Sequence, residues 1–201
     1  LASCESWLDE DPQYTINTKT QFSTVENARQ ALMGCYGYMS ADNAYGQAWQ
    51  EVTFGYCGFG WSQTNGSSTD LLVSMDGGID ETINTMAWRG MYKVIGETNA
   101  FIANIADSPL ESADKLPMEA AARFLRALAY YNLAVTYGDV PLKTTPSAHD
   151  GVAVPRSPKN EVFELVRTDW EFAYENLPEK DDDGFATKWA AKAYLGKLYH
   201  T

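Results

Sequence analysis

Two sets of side chains in this sequence could do chemistry beyond packing: a cysteine near the start and a cluster of aromatics in the first third. Cys4 follows Leu1-Ala2-Ser3, one aliphatic residue and two small ones. Small side chains let an extended chain enter a protease cleft, and a thiol beside the cut can accept a diacylglycerol. The run has the shape of the site cut by bacterial lipoprotein signal peptidase. Cys4 is therefore expected to carry lipid. One acyl chain anchors weakly, whereas several on one cysteine hold firmly.

The second set lies in residues 41–79. Trp49, Phe54, Tyr56, Phe59 and Trp61 are interleaved there with Gly46, Gly55, Gly58, Gly60, Gly66, Gly77 and Gly78. No helical period is sustained, so the expectation is a long irregular excursion of the kind that often carries function. Aromatic faces stack on the apolar faces of sugar rings, and amides and carboxylates bond the hydroxyls. Trp49, Tyr56, Phe59, Trp61, Asn65 and Asp70, with Gln63 among them, offer that mixture and are the candidate ligand residues. The competing reading is that these aromatics plug the excursion onto the body.

Other chemistry finds no support. The histidines, His149 and His200, have no partner at metal-ligand spacing, and the cysteines Cys4, Cys35 and Cys57 include no C-x-x-C. Cys35 sits in a helical pattern as a small hydrophobe; Cys57 has no assignable role. No nucleophile elbow, zinc-protease motif or nucleotide loop occurs. The run Gly55-Tyr56-Cys57-Gly58-Phe59-Gly60 places aromatics where a phosphate loop needs bare backbone. Asp181-Asp182-Asp183-Gly184 lacks the later glutamate of a calcium loop and is expected to be a solvated turn. The net charge of -12 repels phosphate backbones and anionic headgroups, so neither nucleic acid nor a bare lipid surface is an expected partner. The expectation is a binding protein without catalytic residues, metal or cofactor.

The elements that would position these residues are helical. The chain is 45% hydrophobic, enough for a core, with no apolar stretch long enough to span a bilayer. Residues 1–22, with Asp9-Glu10-Asp11 and Pro12, form a tether. Ser23 or Thr24 caps a first helix to Met39 whose stripe is Ala28, Leu32, Cys35, Tyr36 and Met39. A second runs from about Asp80 to Asp107 with Trp88, Met91, Tyr92, Ile95, Asn99, Ile102 and Ala106 on one stripe. Asn99 there is expected to make an interhelical hydrogen bond. The third runs from Pro117, in its first turn, to Tyr137, with Gly138 past its end. Residues 124–135 of it are apolar nearly all round, so neighbours must cover it on more than one side. After a loop with Pro141, Pro146, Pro155 and Pro158, a fourth helix spans Asn160 to Asn176. A fifth starts near Thr187 with no stop signal before Thr201. It suggests a chain that continues and an exposed apolar face on Tyr194, Leu195 and Leu198. Alanine-lined antiparallel helix pairs imply a mainly α, tetratricopeptide-like repeat scaffold with long irregular excursions, over residues 23–201.

Several blocks together resemble the SusD/RagB family of Bacteroidetes. They are Cys4-Glu5-Ser6-Trp7-Leu8-Asp9 with Pro12, Ala87 to Tyr92 with Ile95 and Asn99 to Ile102, and Arg123 to Ala127 with Tyr137 to Leu142. Pro155-Arg156-Ser157, Val162-Phe163, Asp169-Trp170, Leu177-Pro178 and Lys188-Trp189-Ala190-Ala191 continue the pattern. The resemblance implies a SusD-like outer-membrane, cell-surface lipoprotein anchored through Cys4. Such a protein captures oligosaccharides for nutrient uptake and passes them to a SusC-type TonB-dependent transporter, with no catalysis. It implies a chain longer than this one. It also implies a role in carbohydrate binding for aromatics of the excursion between the first two helices, here Trp61 and its neighbours. A peptide-binding RagB-type relative, or a tetratricopeptide-type scaffold that binds only proteins, are the alternatives.

Overall fold

The computed structural model describes residues 18–55, 57, 82–146 and 154–201. Cys4 and the tether up to residue 17 lie outside them, as do Tyr56, Phe59, Trp61, Asn65, Asp70 and His149. A single turn, α1 (Thr18–Gln21), leads into α2 (Val25–Ser40). Thr24 caps α2 as its sequence suggests: its extended backbone turns the hydroxyl toward the Asn27 N–H, which donates to it at 3.2 Å. Ala28, Leu32, Cys35 and Met39 are buried, with Tyr36 at the edge.

Residues 41–55 correct the expectation of irregular chain. A π-helical turn (Asp42–Gly46) is followed by α3 (Ala48–Gly55), whose inner face is Ala48, Trp49, Val52 and Gly55. Glycines and aromatics hide two turns of amphipathic period. The π-turn presses so closely on the next helix that a β-carbon at Gly90 would collide with the Asn43 carbonyl.

Helix α4 (Thr82–Ala106) carries Gly90 and is joined by five residues to α5 (Ser112–Tyr137). The buried face of α4 includes Met91, Ile95 and Asn99 of the expected stripe and extends to one side of it through Ile83, Ala87, Gly90, Val94, Thr98, Phe101 and Ile105. Trp88, Tyr92 and Ile102 flank it and Ala106 is exposed. Small residues at 87 and 90 permit the close approach there, and a stripe read from large side chains alone misses them.

Helix α5 begins a turn earlier than expected, so Pro117 lies inside it. The Glu111 carbonyl accepts from the Asp114 and Lys115 amides, closing the first turn. The Lys115 ammonium reaches back to the Ala106 and Ser108 carbonyls at the end of α4. Residues 120–134 of α5 are buried apart from Arg123, and Gly138 ends the helix at φ 74°.

The proline-rich loop holds a two-residue antiparallel pair, β1 (Val140–Pro141) with β2 (Arg156–Ser157). Asp139 Oδ1 accepts the Lys159 N–H at the start of α6 (Lys159–Asn176). The last element is α7 (Lys188–Leu198), which passes into a turn before Thr201. Tyr194, Leu195 and Leu198 are half-buried; the prominent exposed aromatics are Trp189 (50% exposed) and Tyr199 (68%).

Contacts between helices give the order. Asn99 meets Arg126 while Asn84 meets Tyr137, so α4 and α5 are antiparallel. Tyr131 faces Phe163 and Phe124 faces Trp170, so α5 and α6 are antiparallel. Trp170 faces Tyr194, and Tyr174 lies under Lys192, which sets α7 antiparallel to α6. Successive helix hairpins stack, with α5 in the middle and α2 packed on α4 and α5. No described helix is long and apolar enough to cross a membrane.

Candidate functional site

Of the expected ligand residues, Trp49 is the one the structure describes. It is 6% exposed and packs in the core with Val52 and Ala48. An indole so placed fixes α3 to the body and has little surface left for a sugar ring. Tyr56, Phe59, Trp61, Asn65 and Asp70 lie beyond α3, outside the described residues.

An aromatic ledge begins on the first turns of α4. Trp88 and Tyr92, one helical turn apart, have ring centroids 5.0 Å apart, and Tyr137 meets Trp88 edge-on at 5.1 Å and 83°. The hydroxyls are tied down: Tyr137 donates to the Asn84 carbonyl at 3.3 Å and Tyr92 to the Pro141 carbonyl at 2.7 Å. Burial pushes the Tyr92 phenol above its ordinary range.

Behind the ledge is a buried polar network. Arg126 Nε and Nη2 donate to the two carboxylate oxygens of Asp169, each at 2.8 Å. Its Nη1 donates to Asn99 Oδ1 at 2.8 Å, and Asn99 Nδ2 donates to the Lys143 and Thr145 carbonyls at 3.0 and 3.2 Å. Tyr130 completes the clamp, donating to the Lys143 carbonyl at 2.8 Å and accepting the Lys143 N–H at 2.6 Å. Asp169, Asn99 and Arg126 are all buried, and their partners satisfy the charges. The network ties α4, α5 and α6 to the segment after β1. The bond from Asn99 is legible from its place on an apolar stripe. The pairing of Arg126 with Asp169 is what sequence reasoning misses. Its one signal is that Asp169 lies on the same helical face as Val162, Val166 and Ala173, where a charge needs a partner.

A second connection ties the expected solvated turn at residues 181–184 to α2: Asp182, Asp183 and Gly184 are exposed, while the Asp181 side chain is largely covered. Asp181 Oδ1 accepts the amides of Asp183 and Phe185, and Arg29 on α2 bridges Asp181 at 3.1 Å and Asp183. The Arg29 guanidinium also lies 4.6 Å over the Phe185 ring. Burial opposes the charge on both Arg29 and Asp181. The amides and the ion pair outweigh it, so Arg29 is held above its ordinary pKa and Asp181 below its own. Leu32, Pro117, Met118, Ala121, Leu177 and Phe185 line a cleft of about 80 Å³ under this latch, room for a small group only. Among the described residues no three His, Cys, Asp or Glu side chains are grouped to hold a metal ion.

Stacked helix hairpins around a satisfied polar core, with aromatic rings at one edge, define a mainly α scaffold of packed helix hairpins. The family model for SusD-like proteins, described as "Starch-binding associating with outer membrane", matches residues 6–200, and the chain belongs to that family. It is 25% identical to SusD-like protein P25 of Formosa agariphila, over 98% of this chain and 40% of that protein. A SusD superfamily protein from Bacteroides thetaiotaomicron superposes with a TM-score of 0.76 at 25% identity, covering 88% of this chain and 42% of that one. A crystal structure solved with xylogluco-oligosaccharide superposes at 0.71 with 26% identity, over 84% of this chain and 34% of that one. The chain spans about two fifths of the length of the curated relatives it matches along nearly its full extent.

Proposed function

We propose that this chain is part of a cell-surface lipoprotein that captures oligosaccharides and hands them to a TonB-dependent outer-membrane transporter. The observation that carries the reading is the family match across residues 6–200, described as starch-binding and outer-membrane associated. The relative solved with a xylogluco-oligosaccharide supports a glycan as cargo. In this reading residues 1–22 are the tether, with lipid on Cys4, and residues 23–201 form part of a longer SusD-like helical body. The protein binds and does not cleave. Tyr56, Phe59, Trp61, Asn65 and Asp70 supply stacking faces and hydrogen bonds, and α3 and α4 hold the two ends of the segment that carries them.

The test is affinity electrophoresis of the full-length protein in polysaccharide gels. Trp61→Ala weakens retention while the unfolding midpoint stays put. Retention unchanged in Tyr56, Phe59 and Trp61 variants alike would sink that site. Release of reducing sugar by the wild type would make it an enzyme instead. Radiolabelled palmitate enters the native protein and not a Cys4→Ser form if the anchor is right.

A further inference from the structure

We draw no further inference here: the strongest candidate, the outer surface of α7 with Trp189 exposed on it and Tyr199 just past its end, carries nothing because no observation shows what covers it.

Discussion

Arg126 and Asp169 meet through two parallel hydrogen bonds of 2.8 Å, with the carboxylate fully buried between α5 and α6. A charge pair in such a place contributes little net stability relative to apolar residues, but either half alone is costly. Asp169→Ala leaves a buried guanidinium and is expected to destabilise by about 3–5 kcal/mol in urea unfolding. The double variant Arg126→Met/Asp169→Leu should cost much less than the two single changes added together. Additive costs would mean that the two side chains act independently.

Gly90 and the glycines of α2 respond in opposite directions to the same substitution. Gly90→Ala forces the Asn43 carbonyl and the π-turn away from α4, costing about 1–3 kcal/mol as an overpacked contact. Gly34 and Gly37 lie inside α2, with open space where a β-carbon would sit. Alanine at either should stabilise by about 0.5–1 kcal/mol through helix propensity. Thermal unfolding of the three variants reads the contrast, and a stable Gly90→Ala protein would show that the π-turn yields freely.

The latch between Arg29 and Asp181 depends on pH, and the direction follows from the depressed pKa of Asp181. A carboxyl held below its ordinary value contributes stability above that value and loses it as pH falls through the folded pKa. Between pH 7 and about 4 the wild type should therefore exceed Asp181→Asn by a constant margin, which shrinks below about pH 4. Arg29 is one-third exposed, so the margin is only about 1 kcal/mol after solvent screening. Unfolding midpoints across pH 3–7 measure it, and a margin that grows on acidification would contradict the assignment.

Helix existence is legible in the sequence because α2, α4, α5 and α6 bury stripes at three- and four-residue spacing, and Thr24 and Gly138 mark ends by local chemistry. The shortfalls share a cause: contacts made by residues distant in sequence. Pro117 points to a helix start, yet Lys115 tying back to α4 carries α5 a turn further. Trp49 reads as a ligand residue because aromatic type is visible in sequence and burial is not. Asp181 reads as solvated because its partner Arg29 is remote in the chain, and the pairing of Arg126 with Asp169 needs two helices in register.

Tyr130 tests how firmly the core holds the segment after β1. Its hydroxyl both donates to the Lys143 carbonyl and accepts the Lys143 amide, so one oxygen satisfies two backbone groups. Tyr130→Phe removes both bonds, and Asn99 can still serve the carbonyl but not the amide. The orphaned N–H sets the cost, about 1 kcal/mol for a part-buried donor that loses its partner. Hydrogen exchange locates the effect: the Lys143 amide should lose protection in Tyr130→Phe while amides in the middle of α5 fall only by the global change in stability. Equal loss at both places would mean that the hydroxyl supports the whole fold and not this segment.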